Sequence, residues 1–239
     1  AHGAVPVELA LNGQDFILLV DEFSFVELPT VSSIIPKGGP TAGGTPVHVR
    51  GAGFGASPGF GAAPRFQARC RVGHSGATTP ATAGTEGDLF CMSPPGAQNV
   101  SAPFGPTEVR NSTEPFQVLV LNSEEGSVAV DFTYYAPPTL SELLPTSGAP
   151  EGGELIAVAG VGLDAFGATH EARCCFGEMV QSPLHVLPNS TVCAAPSPVH
   201  IKANSIVCAA PAHAAGEVEV RVALNGVDWS ADTLRYTFQ

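Results

Sequence analysis

Six cysteines are the residues of this chain with the most distinctive chemistry, and they are Cys70, Cys91, Cys174, Cys175, Cys193 and Cys208. The number is even, and no Cys-x-x-Cys spacing or clustered arrangement of Cys and His occurs. This pattern disfavours a metal site and favours disulfides, with free buried thiols as the remaining alternative. Paired cysteines persist in oxidising compartments, so disulfides would place the chain in the secretory pathway.

Three Asn-x-Ser/Thr triplets could accept N-linked glycans, and they begin at Asn99, Asn111 and Asn189. All three fall in segments predicted to be loops, where a bulky glycan is tolerated. Such triplets also arise by chance. We therefore expect N-glycosylation at these asparagines if the chain is secreted.

No motif in the sequence indicates a catalytic site. The sequence contains no Gly-x-Ser-x-Gly elbow, no phosphate loop and no His-Glu-x-x-His, and its seven histidines are dispersed. Asp15 and Asp228 each follow an Asn-Gly pair, which favours a carboxylate that stabilises a turn over a calcium ligand. The sequence predicts no catalytic residue, no cofactor and no metal.

Charge and composition exclude several classes of protein. The 239 residues carry 10 Lys+Arg against 22 Asp+Glu, for a formal net charge of −12. Nucleic-acid binding needs clustered cations, so that partner is not expected. The 27 Gly and 22 Pro break helices too often for a helical bundle. No apolar stretch approaches the roughly 20 residues of a membrane span, so this segment should not contact a membrane.

An internal repeat defines the organisation of the chain. Residues 29–54 align without a gap with residues 138–163, so that Pro36 matches Pro145 and Gly44 matches Gly153. Three further segments each end in two aromatic residues at alternate positions, which are Phe23/Phe25, Phe132/Tyr134 and Tyr236/Phe238. The repeat predicts two complete units and part of a third.

The repeated segments have the pattern of β-strands. Val218, Val220 and Val222 alternate with charged residues, as in a strand with one buried face. The pairs Asn12-Gly13 and Asn225-Gly226 are typical of tight hairpin turns. Since no segment carries an apolar stripe of helical period, the fold class is predicted to be all-β.

The order of these motifs resembles the IPT/TIG family of immunoglobulin-like domains. In each unit a Pro precedes a Gly-Gly turn, a strand and Gly-x-Gly, and two cysteines, an Asn-containing turn and an aromatic strand follow. The resemblance implies tandem β-sandwiches of about 100 residues each. We expect a hairpin from the end of a preceding domain at 1–28, one domain at 29–136 and another at 137–239.

The repeat also orders the cysteines. Cys70 matches Cys174, since both follow Ala-Arg, and Cys91 matches Cys208. Disulfides common to both domains are therefore expected to be Cys70–Cys91 and Cys174–Cys208. Adjacent residues of a strand point to opposite faces, which leaves Cys175 to pair with Cys193 on the outer face. Sequence alone allows fifteen connectivities.

Two functional classes remain, because fold does not determine function. IPT/TIG arrays occur in large cell-surface receptors, so the resemblance implies a non-enzymatic extracellular structural or adhesion array whose partners are neighbouring domains or a surface or matrix assembly. The alternative is an accessory carbohydrate- or ligand-binding module of a secreted multidomain protein, with glycans as partners. Trp229, the single Trp, is predicted to be in the core, which weakens this alternative.

Overall fold

The computed structural model describes residues 3–25, 28–54, 68–73, 77–84, 87–96, 111–119, 126–166, 172–177, 200–202 and 204–239. Within these segments every regular element is a β-strand, as the alternating pattern and the density of Gly and Pro predict. The chain forms two sandwiches preceded by a hairpin. None of the described residues forms a helix long and apolar enough to cross a membrane.

The described residues of the first sandwich form eight strands, which are β3 (Thr30–Ile35), β4 (Gly38–Pro40), β5 (Pro46–Ala52), β6 (Arg69–Val72), β7 (Thr78–Ala83), β8 (Leu89–Met92), β9 (Ser112–Leu119) and β10 (Val130–Tyr135). One layer has the order β3-β5-β8 and the other β6-β9-β10-β4. Strand β7 pairs with β6 through its first half and with β8 through its second half. The two layers are therefore joined into one continuous ladder.

The second sandwich has a similar plan, and the part of it that the structure describes also contains eight strands, which are β11 (Thr139–Leu144), β12 (Ser147–Gly148), β13 (Leu155–Val161), β14 (Arg173–Phe176), β15 (His200–Lys202), β16 (Ser205–Ala209), β17 (Gly216–Ala223) and β18 (Leu234–Phe238). Its two sheets have the orders β11-β13-β16-β15 and β12-β18-β17-β14. The alternating apolar residues of both sheets meet in one core, where Ile156, Ile206, Val220 and Tyr236 are fully buried.

A pair of glycines turns the chain from one sheet to the other at the same place in each sandwich. Gly43 and Gly44 have φ of 74° and 84°, and Gly152 and Gly153 have φ of 73° and 86°. Few side chains tolerate this left-handed conformation, which is why the Gly-Gly pair recurs at matching positions of the repeat.

The N-terminal hairpin consists of β1 (Gly3–Leu9) and β2 (Ile17–Phe25), and among the described strands these two pair only with each other. Its apolar side chains are exposed, among them Ile17 at 68% and Phe23 at 55%. The matching hairpin of the second sandwich, β17–β18, buries its aromatic residues in the core. No sheet formed by the described residues covers the apolar face of β1 and β2.

Candidate functional site

Two disulfides lie inside the sandwiches. The structure joins Cys70 to Cys91, with α-carbons 6.4 Å apart. It also joins Cys174 to Cys208, with α-carbons 6.5 Å apart. In both domains the bond connects the two layers, because its cysteines belong to strands of opposite layers. The sulfurs are therefore structural groups of the core and not a reactive centre.

The third predicted disulfide falls partly outside the described residues. Cys175 is 1% exposed, yet it does not belong to the apolar cluster that contains Cys174. The two adjacent side chains thus leave β14 in different directions, as expected for a strand. Cys193 lies outside the described residues, so the pairing of Cys175 with Cys193 stays a prediction.

Of the three predicted glycosylation sites, the structure describes only Asn111, and Asn99 and Asn189 lie outside the described residues. Asn111 is exposed and directly precedes β9. Its Nδ2 donates a hydrogen bond to the carbonyl of Ala165, in the second domain, at 2.7 Å. This asparagine therefore lies at the junction between the two domains.

Trp229 was expected in the core, and that expectation is wrong. The residue is only half-buried and does not belong to the apolar cluster of the second domain. It follows the turn between β17 and β18 and forms an isolated bridge with Ala223. The alignment of the repeat indicated a core position for Trp229, whereas in the structure this residue lies at the end of a turn.

The turn between β17 and β18 is organised by Asn225. Its Oδ1 accepts hydrogen bonds from the amides of Val227 at 3.2 Å and Asp228 at 2.9 Å. Its Nδ2 donates to Asp228 Oδ2 at 2.7 Å. The expected role of Asp228 as a carboxylate that stabilises the turn is confirmed. Asp228 Oδ2 is thus bonded to a side chain of its own turn.

This turn docks on the first domain. Thr45 Oγ1 donates to Asp228 Oδ2 at 2.6 Å. Asn225 Nδ2 donates a second hydrogen bond, to the carbonyl of Gly38, at 2.9 Å. Thr45 is fully buried and Asn225 is 3% exposed. Hydrogen bonds to charged groups in such buried positions are stronger than those at an open surface.

An apolar contact completes the junction. The rings of Tyr135, in the last strand of the first domain, and Phe166, in the second domain, have centroids 5.4 Å apart. Tyr135 is 1% exposed and packs in the apolar cluster of the second domain. The first domain therefore contributes one side chain to the core of the second.

The contacted end of the first domain, residues 37–45 and 93–96, is called the first pole. Beneath it, Tyr134 donates a hydrogen bond to the carbonyl of Pro94 at 2.6 Å. Burial, with a smaller contribution from the charge of Glu114, raises the pKa of Tyr134 well above its ordinary value. The phenol is therefore neutral, and remains the donor that holds the pole in place.

Sequence reasoning identified the turn but not its partners. Thr45, Gly38 and Phe166 were not singled out, because their roles arise from contact between domains far apart in the sequence. One signal was present: Asn and Asp stand three residues apart in both Asn12–Asp15 and Asn225–Asp228. No group of three or more potential metal ligands occurs within the described segments. The junction can fix an orientation between domains, and its described groups include no nucleophile paired with a base.

A family model described as the IPT/TIG domain matches residues 29–134 and again residues 138–238. No curated protein matches the chain. One solved structure of the full extracellular region of plexin A4 shares 18% identity and covers 97% of this chain and 17% of that chain, with a TM-score of 0.47. The adhesin FdeC of Escherichia coli shares 16% identity and covers 100% of this chain and 74% of that chain, with a TM-score of 0.30. The chain thus spans less than a fifth of the plexin chain.

Proposed function

Because the chain belongs to the IPT/TIG family, we propose that it is a non-enzymatic extracellular array of immunoglobulin-like domains. It acts as a semi-rigid spacer and as a protein-interaction surface within a larger surface or matrix protein. We further propose that residues 29–136 and 137–239 fold as separate domains, and that the hairpin at 1–28 completes a sandwich with strands of another segment.

The observation that carries this proposal is the buried pair of hydrogen bonds across the junction. Thr45 and Asn225 are almost completely enclosed, and each is bonded to a group of the other domain. Asn225 uses both amide hydrogens and accepts two hydrogen bonds, so all of its capacity is satisfied in this one orientation. A rotated second domain would leave buried polar groups without partners, which is costly.

The proposed extracellular location rests on the disulfides. Bonds between Cys70 and Cys91 and between Cys174 and Cys208 persist only where thiols are not kept reduced. The proposed absence of enzymatic activity rests on the membership of both domains in a family of binding and structural modules.

The test compares two aspartates in the same kind of turn. Asp228→Ala removes the acceptor of Thr45, and Asp15→Ala makes the same change in the exposed turn of the N-terminal hairpin. A hydrogen bond to a charged group contributes about 1.5–3 kcal/mol, so Asp228→Ala should raise the undocked population about tenfold or more. Small-angle scattering should show a wider spread of interdomain distances for Asp228→Ala only. Equal spreads in Asp228→Ala and the unaltered chain would contradict the proposal.

One observation favours the alternative, a carbohydrate- or ligand-binding module. On the outer face of β5 and β8, the ring of Phe90 is 47% exposed and stacks on His48 with centroids 4.6 Å apart. His48 is in turn hydrogen-bonded to Asp88, which fixes the stack. An exposed aromatic ring backed in this way is a surface on which a sugar could stack. Binding on a glycan array that is lost in Phe90→Ala would support this function, and the absence of any binding would remove it.

A further inference from the structure

Each domain has an end built in the same way. The end of the second domain that matches the first pole, residues 146–154 and 210–213, is called the second pole. Gly44 N donates to the carbonyl of Ser93 at 2.8 Å in the first pole, and Gly153 N donates to the carbonyl of Ala210 at 2.8 Å in the second. The backbones are therefore equivalent, and their side chains can be compared position by position.

The polar group that receives the turn differs between the poles. Thr45 in the first pole corresponds to Glu154 in the second. A Cβ added to Gly39 would meet Thr45 Oγ1, and a Cβ added to Gly148 would meet Glu154 Oε2. A carboxylate oxygen of the second pole thus stands where the hydroxyl donor of the first pole stands.

The second pole is also open. Thr45 is fully buried and hydrogen-bonded to the docked turn, whereas Glu154 is exposed. The carboxylate accepts a hydrogen bond from Tyr236 at 3.2 Å, so it is held over the pole. Glu154 also helps to raise the pKa of Tyr236, after the larger effect of burial, which keeps that phenol protonated as a donor.

Two glycines of the first pole are replaced as well. Gly38, which lies against the ring of Phe166, becomes Ser147, and Gly96 becomes His213. The His213 ring is exposed and stacks on Phe238 with centroids 4.9 Å apart. At the position of Ser147, a large ring placed as Phe166 is would therefore meet a side chain, where the first pole has only the backbone of Gly38.

We propose that the second pole docks the turn of another IPT/TIG domain that presents a hydrogen-bond donor, a Lys or Arg side chain, where Asp228 stands in this chain. The inference rests on the proposed role of the junction. A carboxylate and an ammonium or guanidinium group attract each other, whereas two facing carboxylates repel. The residue at the position of Thr45 and Glu154 is thus a specificity determinant for the neighbouring domain.

Repulsion between two carboxylates also prevents copies of this chain from stacking on one another through the second pole. In the N-terminal turn, Asn12 Nδ2 donates to Asp15 Oδ2 at 2.6 Å, and Asn12 Oδ1 accepts from the amide of Asp15 at 2.8 Å. These bonds repeat those of Asn225 with Asp228, so the turn has the same form. Its carboxylate would face Glu154 of a second copy and be rejected.

The first experiment tests this charge pairing at the junction between the two domains of the full chain. Thr45→Glu should raise the undocked population at least about tenfold, measured by small-angle scattering, because two carboxylates would meet. Thr45→Gln, which keeps a donor, is the matched control and should have a smaller effect. Adding Asp228→Lys to Thr45→Glu should restore docking. If Asp228→Ala loosens the junction but the paired charge reversal does not restore it, the pairing rule is wrong while the proposed function stands.

The second arm addresses the second pole itself, with the Asp15→Lys chain as probe. A zero-length carbodiimide reagent should couple the amine introduced by Asp15→Lys in one copy to Glu154 of another, and mass spectrometry should identify this peptide pair. Coupling to Glu154 should exceed coupling to the exposed Glu151, three residues away, by about tenfold and should fall at high salt. Equal coupling to Glu151 and Glu154 would overturn the proposal.

Discussion

The ring of Phe166 lies against the α-carbon of Gly38, so closely that a Cβ on Gly38 would overlap the ring. The two residues belong to different domains. The close approach is possible because the first pole presents bare backbone at this point, with the Thr45 and Asn225 hydrogen bonds beside it.

Adding a methyl group at Gly38 should separate the domains. Gly38→Ala would place Cβ against the Phe166 ring and against the carbonyl oxygen of Thr133. We expect wider interdomain distances in small-angle scattering and a loss of about 1–3 kcal/mol from overpacking. In a Phe166→Ala background the effect on interdomain distance should largely vanish, while the strain against Thr133 persists. Fully additive effects on distance would show that the ring and the glycine are not coupled.

Stability should fall at high pH because of Tyr134. Its folded-state pKa is raised above the ordinary value of 10.0, so the folded state holds the proton more tightly than the unfolded chain. The contribution is complete below pH 10 and is lost as the pH rises above it. The free energy of unfolding, measured with urea from about pH 8 to about pH 11, should show the decline, because this range spans the ordinary tyrosine pKa of 10.0. Tyr134→Phe should make the decline shallower, and the raised pKa of Tyr236 should account for part of what remains. An unchanged slope would contradict the assignment.

Each disulfide should stabilise its own domain. The bonds Cys70–Cys91 and Cys174–Cys208 close loops with sequence separations of 21 and 34. Replacing either pair by alanine should cost about 3–4 kcal/mol and lower the melting temperature of one domain only.

Non-reducing peptide mapping should also recover Cys175–Cys193. Six free thiols in natively purified protein would remove the basis for an oxidising compartment.

Asn111 allows the glycan and the junction contact to be separated. Asn111→Gln removes both the acceptor for a glycan and the hydrogen bond to Ala165. Thr113→Ala removes the triplet and a hydrogen bond to Thr133 within the first domain, but leaves the contact with Ala165 in place. Made in a secretory host, both variants should lose the same glycan mass. Made without glycosylation, only Asn111→Gln should widen the interdomain distances. Equal widening in both variants would mean that the hydrogen bond contributes nothing.

The linker prolines should matter less than the contacts. Pro137 and Pro138 lie in the segment that connects β10 to β11, where Pro137 is exposed and Pro138 is buried. Replacing both by glycine frees the backbone, which should widen the distribution of interdomain angles while leaving each domain's melting nearly unchanged. The widening should be smaller than that caused by Asp228→Ala. The reverse order would show that the linker sets the orientation.

The strands were predictable because local pattern and burial agree. Val220 and Val222 alternate with charged neighbours, and both prove fully buried. The Gly-Gly turns were predictable because the left-handed backbone favours glycine wherever it occurs. The IPT/TIG resemblance followed from the order of these local features.

The junction was not predictable in the same way. The hydrogen bond between Thr45 and Asp228 joins residues 183 positions apart, and the sequence around neither residue indicates a contact between domains. The half-buried position of Trp229 was not predicted for a related reason. The sequence around an aromatic residue next to a strand does not show whether its ring belongs to the core or to the turn. Contacts between domains depend on relative orientation, which no local pattern encodes.

The pairing of β4 with β10 has a mechanical consequence. The two strands are parallel. Strand β4 lies near the start of the first domain and β10 is its last strand. Tension applied along the chain would pull these parallel strands past each other, so their hydrogen bonds would be loaded in shear and resist together. The first domain has three residue pairs in this clamp, Thr133 with Gly38 to Tyr135 with Pro40, and the second has two, Ser147 with Thr237 and Gly148 with Phe238. Under a stretching force the second domain should be the first to yield, extending the array at one end while the other keeps its shape.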